Sequence, residues 1–211
     1  GYLVSTLIIF PLVIYGMKLL SKLQTWTNPL WLVMIVLPLV ILVVQEPSTV
    51  TEFLNYTGEG SGETSFAAMM LAAGVCLALV AQIAENIDYI RFMPPKTPEN
   101  SKSWWTSVIM AGPGWVLFGA TKQILGVFLA VYVMSHLGAS AAEASEPVRQ
   151  FFALYQEMMP AWLAVALAVF LVVVSQIKIN VTNAYSGSLA WTNSYTRITK
   201  SYPGRTFFVF F

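Results

Sequence analysis

Residues 158–177 form a run of twenty uncharged residues that ends against Lys178. A helix of about twenty apolar residues is what it takes to cross the hydrocarbon core of a bilayer. The run ends unlike a simple anchor. Ser175, Gln176, Lys178, Asn180, Thr182 and Asn183 crowd the next two turns, and an Ile-Asn-Val-Thr-Asn-Ala-Tyr stretch continues before any loop signal. Polar groups at membrane depth are costly, so they usually face a partner, a cavity or a substrate path. The plainer alternative is that the helix leaves the membrane here and Lys178 snorkels to the headgroups.

The rest of the chain fits the same solvent. Only 10% of its residues are charged and 57% are apolar, against about 25% charged in soluble domains. So few charges cannot cover a globular surface, and the chain reads as an all-α integral membrane protein. A β-barrel is excluded by the lack of ten-residue segments of alternating polarity. A net charge of +1 with no basic patch gives no reason to expect nucleic acid. The single Cys76 excludes a disulfide framework or a cysteine metal cluster.

Charge-free windows place one transmembrane domain over residues 1–211, with spans near 1–16, 29–45, 65–84, 115–136 and 158–184 and the start of another at 206–211. The chain reads as an internal piece of a larger protein. Pro29 suits the first turn of a helix, Pro38 should kink its middle, and Gly112-Pro113-Gly114 should separate a short apolar helix from the fourth span. Trp104 and Trp105 look like an interfacial anchor. Loop charge alternates. Lys18 and Lys22, the Arg91 to Lys102 linker and the Arg197 to Arg205 loop are basic, whereas loops 46–64 and 137–157 are acidic. The positive-inside rule puts the basic loops in the cytoplasm and the chain in the inner membrane.

No nucleophile–base pair, phosphate loop or metal-ligand spacing stands out, so an enzyme is not expected. His136, at the end of a span, reads as a bystander. The candidates for chemistry are polar and small residues inside the third and fifth spans. Ala72-Ala73-Gly74-Val75-Cys76 suits a helix that breaks or approaches another closely, or plain packing. Gln82 lies in an otherwise apolar stretch. Glu85, Asp88 and Arg91, three residues apart, could form a charged cytoplasmic rim. Ser175 and Lys178 share a face, while Asn180 points elsewhere. Lys122 is a second cation within a span.

Asn86-Ile87-Asp88-Tyr89-Ile90-Arg91-Phe92 at the cytoplasmic end of a span resembles the Asn-Ile-x-Asp-aromatic-x-Arg-aromatic signature of the nucleobase-cation-symport-1 family, the purine, cytosine, allantoin and hydantoin permeases. Ser175-Gln176-Ile177-Lys178-Ile179-Asn180 resembles the Thr-Asn-x-x-x-Asn pattern of that family's eighth helix. The resemblance covers nearly the whole chain, as family helices four to eight and the start of nine. It implies a leucine-transporter-like bundle of two inverted repeats, with a solute bound near the midplane beside broken helices. It assigns solute contacts to Asn180 and to the position of Leu79, where the family's stacking aromatic is missing; Gln82 and Gly74 of the third span are the further candidates for solute contact. It assigns a sodium site to Ser175 and the Leu171 carbonyl. Val174 replaces a second hydroxyl ligand there, and Lys178 stands where a small residue is common. Sodium is the only ion or cofactor implied.

The wording around residues 180–191 also resembles a branch fused to a histidine kinase. Two readings follow: an ion- or proton-coupled transporter of a nucleobase-like or other small nitrogenous solute, or a ligand-sensing membrane domain with a C-terminal kinase output. The lipid bilayer and a small solute are the expected partners in both.

Overall fold

The computed structural model describes residues 2–58 and 65–209, apart from the side chains of residues 2–5, 79 and 81–84. Every described element is helical. In order they are α1 (Tyr2–Ile14), α2 (Met17–Gln45), α3 (Ser48–Asn55), α4 (Phe66–Glu85), α5 (Ile87–Ile90), α6 (Ser101–Ala111), α7 (Gly114–Leu137), α8 (Ala141–Ala144), α9 (Pro147–Gln156), α10 (Ala161–Thr199) and a 3-10 turn, Arg205–Val209. Three of them, α2, α7 and α10, are long and apolar enough to cross a bilayer, and α4 carries a shorter apolar length, Phe66–Ala78. The chain divides into two compact units, residues 1–42 with 154–211 and residues 43–153.

In the first unit the corner between α1 and α2 fixes where α2 begins. Gly16 sits at φ +73°, a left-handed conformation that favours glycine. Its carbonyl accepts from Leu19 N at 3.1 Å and Leu20 N at 3.2 Å, which starts a new helix at once. The Lys18–Lys22 turn is therefore the opening of α2, and Pro29 lies inside that helix instead of at its first turn. Proline deprives the carbonyl four residues back of its N–H, yet α2 runs on through Pro29 and Pro38 without interruption. The exposed end of α1 is closed from far along the chain. Arg205 donates to the Val13 carbonyl at 2.7 Å and the Ile14 carbonyl at 3.2 Å, and its guanidinium stacks on Tyr185 at 4.7 Å. A cation on the last carbonyls of a helix also meets the negative end of its dipole.

Helix α10 packs on α1 and on the terminal turn, and along its length Ala164, Ala168, Leu171, Val181, Tyr185, Ser188 and Thr192 are buried. The helix does not stop where its sequence turns polar. Ser188 donates to the Tyr185 carbonyl at 2.7 Å and Thr192 to the Ser188 carbonyl at 2.6 Å. These hydroxyls are satisfied on their own helix, so the packed face tolerates them. The helix ends only at Lys200, which takes a left-handed φ of 58°. The sequence-expected start of a further span, at 206–211, falls on the 3-10 turn, and residues 210 and 211 lie outside the described residues.

The second unit is built around α7, whose Phe128, Leu129, Val131, Tyr132 and Val133 are buried. The Gly112-Pro113-Gly114 break falls between α6 and α7 as the sequence suggests. A Cβ on Gly112 would stand 2.9 Å from the Val108 carbonyl oxygen as well as from the Asn86 side chain, and the backbone contact is what requires glycine here. Helix α3 packs on α7 with Phe53 edge-on to Phe128 at 5.7 Å. Gln150 ties the loop side of this unit together by donating to the Gly126 and Ala144 carbonyls at 3.2 and 2.8 Å.

Removing the Arg205 guanidinium strands the Ile14 carbonyl and leaves the Val13 carbonyl with Gly16 N alone. Arg205→Ala should therefore destabilise the protein by about 1–3 kcal/mol in thermal unfolding. Arg205→Lys should recover only part of that loss, because a point-like ammonium cannot repeat the forked geometry.

Candidate functional site

The polar residues of α10 meet α2 in a continuous chain of contacts within the first unit. Ser175 Oγ donates to the Leu171 carbonyl at 2.7 Å and accepts from Trp31 Nε1 at 2.7 Å. On the same indole, Lys178 Nζ lies over the ring face, 5.4 Å from its centre, and the ammonium also donates to Asn28 Oδ1. The seam therefore runs Leu171, Ser175, Trp31, Lys178, Asn28. Ser175 and Lys178 do share a face, and it is the face turned toward α2. Tyr155, on α9, makes a separate contact with α2, donating from its hydroxyl to the Met34 carbonyl at 2.8 Å; burial pushes its phenol up to about 12.

Each member supplies a group the others lack. An indole N–H is a donor only, and in apolar surroundings it needs an acceptor. Ser175 supplies that acceptor while returning its own proton to the helix backbone. Lys178 has three donors and no acceptor; the indole face and the Asn28 amide oxygen are both attractive to a cation. The Leu171 carbonyl and the Ser175 hydroxyl, the two oxygens the resemblance assigns to an ion, bond to each other. Asn180 is exposed on α10.

The other sequence candidates lie in the second unit. Helix α4 passes unbroken through Gly74, and a Cβ there would meet nothing within 4 Å. Neither a break nor a close approach occurs at this glycine; α7 meets this part of α4 at Cys76, whose Sγ lies 4.0 Å from Gln123 Oε1. The side chains of Leu79 and Gln82 lie outside the described residues. The charged trio does not ride one continuous helix: α4 stops at Glu85, buried Asn86 follows, and Asp88 belongs to α5. The three groups still sense one another. Burial, and next the neighbouring Asp88, hold the Glu85 carboxyl above its ordinary value; burial raises Asp88 while Arg91 opposes the rise. Lys122 lies over the Trp115 ring at 4.7 Å.

Three functional candidates were missed from the sequence. Trp31 fell at the start of an apolar span and Asn28 just before it; a tryptophan with an N–H to satisfy was the available signal. His136 is no bystander, since carboxylates of Glu46 and Glu52 lie 3.4 and 3.9 Å from its ring nitrogens.

The Glu85 shift makes a signed prediction. A carboxyl raised on folding stabilises the folded state below its unfolded value and loses that contribution as pH rises through the folded value. Glu85→Gln should therefore raise the melting temperature at neutral pH and flatten the loss of stability just above the ordinary value of 4.5. Solvent screening limits the gain to about 2 °C or less. Melting curves of both proteins across that range check it. Compared with known proteins, the chain matches no family model, no curated protein and no solved structure.

Proposed function

We propose that the chain is the membrane domain of a secondary transporter that carries a small nitrogenous, nucleobase-like solute by alternating access. The observation that supports this reading best is the seam of Ser175, Trp31, Lys178 and Asn28 along two otherwise apolar helices. Polar and ionisable groups in such helices cost several kcal/mol in lipid, and their usual return is a substrate or ion path. In this reading the fold is the leucine-transporter-like inverted-repeat bundle. The membrane is the inner membrane, with the basic loops on the cytoplasmic side.

The roles follow from the contacts. Lys178 stands in for the sodium ion of related symporters. Its ammonium occupies an aromatic face and a carbonyl oxygen, contacts suited to a cation, while the Leu171 and Ser175 oxygens satisfy each other. Coupling is then to protons, with Lys178 giving up and regaining its proton during the cycle. Asn180, exposed on α10, offers a donor and an acceptor to the edge of an amide or heterocycle.

Uptake into proteoliposomes from a panel of purines, pyrimidines, hydantoin and allantoin tests the reading. A solute accumulated with a proton gradient and without sodium is the expected result. Steep sodium dependence that survives in Lys178→Met would defeat the role of the lysine. Binding without uptake would point to ligand sensing instead. Asn180→Ala should weaken solute binding about tenfold or more, since a buried ligand group loses its partner. It should leave the melting temperature unchanged, because the side chain is exposed. Equal affinity in wild type and variant would remove Asn180 from the site.

A further inference from the structure

His136 lies at the last turn of α7, where it faces acceptors on both ring nitrogens. Nδ1 is 3.2 Å from the Tyr132 carbonyl on its own helix and 3.9 Å from Glu52 Oε2 on α3. Nε2 is 3.4 Å from Glu46 Oε2, in the turn that leads into α3. The ring also stacks on Tyr132, with centroids 4.4 Å apart. A carbonyl can only accept, so the Tyr132 contact favours a hydrogen on Nδ1. A neutral imidazole has one N–H, which leaves a lone pair on Nε2 pointing at a carboxylate. Only the imidazolium, with a hydrogen on each nitrogen, suits both sides.

The surroundings agree with a positive ring. Glu52 Oε2 is buried and has no hydrogen-bond partner, so a positive ring 3.9 Å away would offset the burial of that oxygen. The remaining described charges of the neighbouring loop elements are Glu143, paired with Arg149 at 3.1 Å, and Glu146. No described cation other than His136 lies within ion-pair distance of Glu46 or Glu52. Among the described residues no group of His, Cys, Asp and Glu is arranged to hold a metal ion, so a proton is the ligand this geometry accepts.

We propose that His136 is a proton-binding latch. With a proton on Nε2, taken from water, the imidazolium holds Glu46 and Glu52, and with them amphipathic α3, against the end of α7. When that proton leaves, the Nε2 lone pair opposes Glu46, Glu52 loses its compensating charge, and α3 is held only by its apolar contacts, Phe53 on Phe128 among them. Histidine side chains in general change charge in the physiological range, so pH is the variable that reads the latch. The device is independent of the transport reading.

Hydrogen exchange of the α3 amides in the full chain, in lipid nanodiscs at about pH 5.5 and about pH 8, reads the latch. After correction for intrinsic exchange rates, protection in wild type should be about fivefold or more higher at the lower pH, the worth of two part-exposed ion pairs. His136→Gln should give the low protection at both values. His136→Arg, a permanent cation, should keep protection that does not vary with pH. Equal protection of wild type at both values overturns the proposal, as does a pH difference that persists in His136→Gln. Should that variant fail to fold, Glu46→Gln decides: the difference should shrink at least by half, and an unchanged difference overturns the latch.

Discussion

The hydrogen bond from Trp31 to Ser175 is the contact on which the arrangement of α2 and α10 rests. Neither helix has many charged groups with which to find the other, and lipid tails give apolar side chains no reason to prefer protein. What two apolar helices can lose in such surroundings is an unsatisfied polar group. The indole N–H needs an acceptor, and the Ser175 hydroxyl offers one while bonding to Leu171 behind it. Once that bond fixes the register, Lys178 falls over the indole face and reaches Asn28. The serine thus does for helix pairing what a hydrophobic contact would do in water.

A second constraint shapes the ends of the helices. Several helix ends are closed by a side chain from elsewhere or by a local cap. Arg205 closes α1 from almost two hundred residues away. Ser140 and Glu143 form a reciprocal capping box on α8. Asn100 and Thr97 bind each other's backbone in the turn before α6. Charged and polar residues are scarce here, and many of those described act at helix ends.

Much of the helical content was legible in the sequence because it depends on local patterns. Hydropathy marks α7 and the apolar part of α10, and the chemistry of Gly112-Pro113-Gly114 marks the break before α7. The beginning of α2 was not legible from charge-free windows, since Lys18 and Lys22 belong to a helix that starts outside its apolar length. The continuation of α10 to Thr199 was hidden for a related reason. Its serines and threonines look like loop residues until their hydroxyls are seen to bond to the carbonyl one turn back. The site was legible in half. Ser175 and Lys178 announced themselves as polar groups beside an apolar run, but their partners lie about 150 residues away on α2. No local pattern carries such a pairing. His136 failed the same way, because its meaning comes from two carboxylates brought to it by α3 and the turn before it.

The central claim is that polar contacts, not apolar packing, hold α2 to α10. A double-mutant cycle of Trp31→Phe and Ser175→Ala, followed by reversible unfolding in detergent, tests it most directly. Phenylalanine keeps the aromatic bulk and removes the N–H, and alanine removes the hydroxyl. The account predicts a coupling energy of about 1 kcal/mol or more between the two sites. Additive effects, with no coupling, would contradict it.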